Sequence, residues 1–493
     1  MRRFLTAILL GLSCACHAQV DDSFDSFRKN ALQGMSAFMD SVKTEYQNFR
    51  QKINAEYASF LRGIWKDEQS QPAPPPLEEP APAPPVIFPE EDRQKPVEDN
   101  PVEIEEEPRP APAPQPMPVA PIEEVPTVPV FHQFDFYGAG LKVRLSPAQT
   151  FRLSDTTPNT IGDLWERLSE ADYANLVYDC LQIRQTYSLC DWAYLQMLAA
   201  LSEQYFHGRC NEATFLTAYL FCQSGYTIRL GEWNGQLYLL VGTPHQIYHH
   251  GYYTIDGNNY FVYNANPDRL NVCDVKFQGE SMLSFYVPQL PKLPESLSET
   301  RILCSERYAD MKVASQVNRN LLEFYSQYPT SVVGDNVCTR WAMYADAPLC
   351  TPAETHVVNV LKEKLKNCDE QLALNKLLNF VQTAFVYEYD DKVWGGDRAF
   401  FGDETLFYPY CDCEDRSILF SKLVREILGL EVLLVYYPGH LATAVHTRTD
   451  IAGDYILLNG KRFLVCDPTY VGAPIGKTMP EMDNQSAKVI LLN

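Results

Sequence analysis

Positive charge is scarce in this sequence. Forty-one Lys and Arg stand against 63 Asp and Glu over 493 residues, a formal net charge of -22. Nucleic-acid binding needs clustered cations on phosphates, and docking on anionic lipid needs a basic face, so the balance argues against both partners. Long apolar runs are also lacking. After the first residues no stretch approaches the roughly 20 apolar residues that cross a bilayer, so no integral membrane segment is expected. Metal-type cysteine spacing is missing too. Of 14 Cys, two fall at positions 14 and 16, and ten of the other twelve are scattered. No metal and no cofactor is called for, and some disulfides plus some buried thiols are expected.

The chain starts as a secretory signal does. Arg2 and Arg3 precede a short apolar run over 4–12, and Cys16-His17-Ala18 ends in a small residue before Gln19. A signal peptide over 1–18 implies export, to the periplasm, the cell surface or the medium. Lipidation at Cys14 or Cys16 is the alternative, with flanks that fit a lipobox poorly. Residues 19–68 carry an eleven-residue repeat, with Phe24, Met35, Tyr46 and Tyr57 in one column and Phe27, Phe38, Phe49 and Phe60 in another. Eleven residues over three turns is about 3.67 per turn, so each column follows one face of a helix. That face would serve an oligomer or a protein partner through 24–65, or fold back on its own domain. Residues 69–130 read as a linker. Between 71 and 130 there are 20 Pro, and 13 acids face three bases. Such a segment is expected as extended, self-repelling polyproline II. From 131 to 493 the composition is globular, with α+β patterning. Strands are expected at 134–138 and 141–145. Helical patterns are expected around 161–168, 192–204, 313–325, 355–365 and 372–385.

The stretch YPYCDCEDRS, residues 408–417, carries the chemistry. Asp412 stands where a helix N-cap would, with Asp415 three residues on, a carboxylate form of the capping box. Ile418, Leu419, Leu423, Val424, Ile427 and Leu428 recur at helical spacing, and Gly429 closes the helix. Cys413 therefore falls in the first turn, where the helix dipole favours a thiolate. Glu414 and Asp415 oppose that effect, so a base is needed. Strands are expected at 431–437 and 441–446, then 455–458, an Asn459-Gly460 hairpin turn, and 462–466. His440 begins one strand and Asp467 ends another. Cys, His and Asp in this order supply a nucleophile, a proton shuttle and a carboxylate that fixes the tautomer. His446 is a rival base. Cys411, Cys413, His440 and Cys466 are a rival zinc set, and a Cys411–Cys466 disulfide is a further alternative.

CEDRSILFSKLVREILGL, GHLATAV and FLVCDPTY, over roughly 370–475, resemble the transglutaminase-like superfamily of cysteine acyl-transfer enzymes. The resemblance implies a Cys-bearing helix packed on an antiparallel sheet. It assigns Cys413 as nucleophile, His440 as general base and Asp467 as orienting acid. It also implies a protein or peptide substrate, with hydrolysis favoured over transfer to an amine. The chain departs from the family in having Cys411 where a glycine is common and Ala442 where a Trp is common.

A second copy lies upstream. Gly208-Arg209-Cys210 opens a helical run, GQLYLLVGT (235–243) aligns with GHLATAVHT (439–447), and DGNNYFVYN ends at Asn264 where NGKRFLVCD ends at Asp467. Cys210, Gln236 and Asn264 are the counterparts. Glutamine cannot accept and return a proton as imidazole does, so this copy is expected to be inert. The organisation implied is two tandem transglutaminase-like (papain-like) α+β domains, degenerate over 131–295 and catalytic over 296–493. A non-catalytic binding or scaffold protein is the alternative.

Overall fold

A computed structural model describes residues 48–72, 83–95, 97–104, 130–170, 173–277, 279–333 and 338–493. The expected signal peptide and most of the eleven-residue repeat lie outside them. Residues 48–61 of the repeat are helical. The helix stops before its expected end at 67: the Gly63 N–H donates to Phe60 O at 2.9 Å, and the chain turns into the strand Lys66–Gln69. Tyr57 packs on Trp165 with ring centroids 4.8 Å apart, whereas Phe60 and Ile64 remain exposed. Among the described residues, no helix is long and apolar enough to cross a membrane.

Residues 56–493 form one unit, mixed α+β with antiparallel sheets. One hydrophobic core runs through it from Tyr57 to Ile490. Two six-stranded sheets repeat a common pattern. The first orders its strands Lys66–Gln69, Arg269–Cys273, Ile228–Trp233, Gln236–Gly242, Asn258–Val262, Tyr252–Ile255. The second runs Lys488–Leu491, Val432–Tyr437, His440–Val445, Lys461–Cys466, Asp454–Leu458, Asn100–Glu103. The registers match. Trp233 faces Gln236 as Tyr437 faces His440, Leu240 faces Val262 as Ala444 faces Val465, and Ile255 faces Asn258 as Leu458 faces Lys461. The last pairs close over Asp256-Gly257 and Asn459-Gly460, with φ of 49° and 76°, and 50° and 75°. Positive φ at both corners is the hairpin turn that matches strand twist. Before each sheet comes a helix whose first residue is a cysteine, Cys210–Gln223 and Cys413–Leu428.

The sixth strand is added at opposite edges. Lys66–Gln69 pairs with Arg269–Cys273, and Asn100–Glu103 pairs in parallel with Asp454–Leu458. The latter lies inside the segment whose composition reads as a free spacer. Its described parts are instead docked. Phe88 is buried among Tyr470, Ala473 and Met479. An edge strand binds through its backbone and tolerates Pro101 there, so no apolar alternation announces it.

The expected helix over 313–325 is divided. Lys312–Ser315 is a strand paired with Arg301–Cys304, and the helix Arg319–Ser326 starts only after Asn318, whose side chain caps Asn320 N–H at 3.2 Å. Cys411 and Cys466 are both free thiols, which removes the proposed disulfide between them.

Candidate active site

The Cys413 helix begins as its sequence dictates. The Asp412 carboxylate accepts from Glu414 N–H at 3.1 Å, Asp415 accepts from Asp412 N–H at 3.3 Å, and Gly429 ends the helix at φ 63°. Cys413 is the first helical residue. Four layers position it. Ser417 Oγ donates to Leu441 O at 2.8 Å, tying the helix to the His440 strand. Arg416 donates to Gln382 O and Phe385 O at 3.1 and 2.9 Å, tying it to the helix Glu370–Thr383. Trp341 Nε1 donates to Glu414 at 2.8 Å, and Phe400 N–H to Asp415 at 2.8 Å.

His440 follows the tight turn Pro438-Gly439, in which proline fixes one corner and Gly439 takes φ 77°. Its Nε2 lies 2.8 Å from Asp467 Oδ2, and both side chains are buried. The other Asp467 oxygen accepts from Thr469 and Tyr470 N–H at 2.8 and 3.2 Å. A carboxylate at Nε2 places the proton of the neutral ring there. Nδ1 is buried with no hydrogen-bond partner among the described residues.

Cys413 is 5% exposed. Burial pushes its thiol well above the ordinary value. The Asp412 and Glu414 carboxylates push the same way, the Leu441 backbone N–H opposes them, and Asp467 adds a smaller upward push. Burial and the neighbouring carboxylates thus both favour the neutral thiol. Asp415, expected to oppose ionisation, is instead turned to backbone donors.

Sequence reasoning missed Gln382. Its Nε2 donates to the carbonyls of Asp467, Tyr470 and Ala473 at 3.0, 2.8 and 3.2 Å, and its Oε1 accepts from Gly472 N–H at 3.1 Å. It clamps the turn that carries the carboxylate. A lone glutamine in a helical run gives no signal of this. The rival base His446 lies past the far end of the strand, bonded through Nδ1 to Arg462 O at 2.8 Å. The rival zinc set does not assemble. Among the described residues, the groups close enough for a cation are Asp390-Asp397-Glu414 and Asp412-Glu414-Asp415. Their carboxylates are already engaged, Glu414 by Arg340 at 2.7 Å as well as by Trp341.

Cys210, Gln236 and Asn264 line one cavity of about 400 Å³, with Glu203, Arg209 and Tyr263. Cys210 is exposed, its thiol donating to Gly208 O at 3.5 Å. Gln236 Nε2 donates to Leu237 O at 3.1 Å. Asn264 takes φ 55°, a left-handed corner that Asp467 does not share, so the two copies diverge just past the matched strands. The downstream His440–Asp467 pair is buried, whereas Cys210 is exposed beside Gln236 and Asn264.

No protein-family model matches this chain, and no curated protein does.

Proposed function

We propose that this is an exported cysteine-nucleophile enzyme of the transglutaminase-like superfamily that acts on amide bonds of peptides or proteins through an acyl-enzyme. The observation that carries this reading is the His440–Asp467 pair at 2.8 Å, with Nδ1 free, on the strand against which the Cys413 helix packs. Cys413 gives its proton to Nδ1 as Sγ attacks the carbonyl carbon. The tetrahedral intermediate collapses, the C–N bond breaks, and the leaving amine takes the proton back from His440. A water then adds to the thioester, His440 takes its proton, and the acid and the Cys413 thiol are released. With an amine in place of water, the same sequence yields a new amide. Asp467 stays an acceptor throughout and holds the imidazolium in place. The Leu441 N–H, already directed at Cys413, favours negative charge there.

In this reading the two matched sheets are a duplication, and the upstream copy, with Gln236 and Asn264, performs no turnover. A scaffold or binding role is the second reading, favoured by the burial of Cys413 and the open cavity at Cys210. The test is turnover of a peptide amide by the full chain, compared with Cys413→Ala and His440→Ala. Loss in both variants supports the enzyme, whereas turnover that survives Cys413→Ala removes it.

A further inference from the structure

The described part of the proline-rich segment crosses the candidate site at a telling place. Ala83 N–H donates to Gly439 O at 2.9 Å, and Gly439 immediately precedes His440. Ala83 O accepts from Tyr387 Oη at 3.2 Å. Tyr387 belongs to the Cys413 side: Val386–Tyr387 pairs in parallel with Tyr410–Cys411, and Arg416 of the Cys413 helix lies 5.3 Å from the Tyr387 ring. One residue, Ala83, thus bridges the histidine wall and the cysteine wall. Three residues on, Val86 O accepts from Val471 N–H at 2.8 Å and Phe88 N–H donates to Val471 O at 2.9 Å, beside the turn that carries Asp467. Phe88 is buried edge-on against Tyr470, with centroids 5.3 Å apart, while Ile87 is 77% exposed.

We propose that the track formed by Tyr387, Gly439 and Tyr470–Val471 is the binding groove for an extended, proline-containing peptide with an aromatic anchor, and that residues 83–88 occupy it as an internal competitor. The catalytic meaning rests on Cys413 being the nucleophile; the occupancy does not. The recognition is by main chain, which gives affinity with little demand on sequence, and the Phe88 pocket adds the demand. Pro84, Pro85 and Pro89 fall at positions that donate no hydrogen bond to the groove, so their missing N–H groups cost nothing there. Proline also pre-orders the extended conformation that the groove receives. The substrate class that follows is a polypeptide segment in polyproline II or β conformation, bearing a large apolar side chain five residues after the one at Gly439. On this proposal the occupied track excludes other peptides in the resting chain.

The experiment measures iodoacetamide modification of Cys413 in the full chain, resolved by peptide mass spectrometry, with exposed Cys210 as internal reference. Phe88→Ala is expected to speed Cys413 about ten-fold by emptying the groove and to leave Cys210 unchanged. A synthetic Ala-Pro-Pro-Val-Ile-Phe-Pro peptide should restore the slow rate, and the same peptide with Ala for Phe should not. Ala83→Pro removes only the donor to Gly439 and carries the test if circular dichroism shows that Phe88→Ala does not fold. Unchanged Cys413 rates in a folded variant, or no protection by the peptide, overturn the proposal. Repeating the comparison in a His440→Ala background separates the two ideas. Acceleration by Phe88→Ala there keeps the groove, whether or not His440 governs the thiol.

Discussion

His440 Nε2 and Asp467 Oδ2 lie 2.8 Å apart, both side chains buried, and the opposite ring nitrogen has no partner among the described residues. The relationship decides which nitrogen can work. An Asp467→Asn variant can present its amide N–H to Nε2 and turn the ring to the tautomer with the proton on Nδ1. Turnover should fall by about 10²–10⁴, with the fold and Cys413 burial intact. Wild-type rates in Asp467→Asn would remove the carboxylate from the mechanism.

Gln382 is 2% exposed and holds three carbonyls of the turn after Asp467. Gln382→Ala removes a donor from each of these carbonyls and the acceptor of the Gly472 N–H, with Tyr470 O keeping only the Ala473 N–H at 3.1 Å. It should destabilise the protein by on the order of 2–4 kcal/mol, read by urea unfolding. Turnover should drop further than in Asp403→Asn at a temperature where both remain folded, because only the former lets Asp467 drift. Equal losses would make Gln382 a stability residue alone.

Asp403 tests the acid-rich interior. Burial raises its carboxyl to about 6, against Cys350 N–H and Tyr325 Oη, which favour the ion. Glu404 is raised by burial to about 7, against Arg398. A carboxyl raised in the folded state lends stability that is complete below its unfolded value near 4 and is lost as pH climbs through the folded value. Unfolding free energy should therefore decline between pH 4 and 7, by on the order of 2–3 kcal/mol for Asp403. Asp403→Asn should flatten that part of the slope in urea titrations at pH 4.5 and 7, and an unchanged slope would show that Asp403 ionises freely.

The thiols separate by exposure. Mild alkylation is expected to reach Cys210 before Cys413, since Cys210 is exposed while Cys413 is buried and its thiol raised. Labelling order alone therefore does not identify the nucleophile. The informative quantity is the response of each cysteine to His440→Ala: Cys210 unaffected, Cys413 slowed. Equal slowing of both would point to global loosening.

Much of this site was legible before the structure. The Asp412 cap, the apolar period from Ile418 to Leu428 and the Gly429 stop are local signals, and the helix Cys413–Leu428 forms where they place it. The Asn459-Gly460 turn fixed the register that brings Asp467 toward His440. The matched registers of the two sheets follow the alignment of GQLYLLVGT with GHLATAVHT. What stayed hidden depends on tertiary partners. Asn100–Glu103 and Lys66–Gln69 are polar edge strands paired through backbone and exposed polar side chains such as Asp67 with Arg269, so neither carries an apolar strand pattern. Ala83 to Phe88 is a proline-rich run whose docking turns on one buried aromatic. Lys312–Ser315 reads as helix because Val313 keeps helical spacing with the run beyond Asn318. The Cys413 helix is held by four distant segments at once, none of them adjacent to it in sequence order.

The measurement that bears most directly on the central claim is the alkylation rate of Cys413 against pH in the full chain, wild type beside His440→Ala, with Cys210 as reference in each sample. If Nδ1 of His440 takes the Cys413 proton, the variant loses at least about ten-fold in Cys413 rate near neutral pH and keeps the Cys210 rate. Superimposable Cys413 profiles in the two proteins would contradict the account.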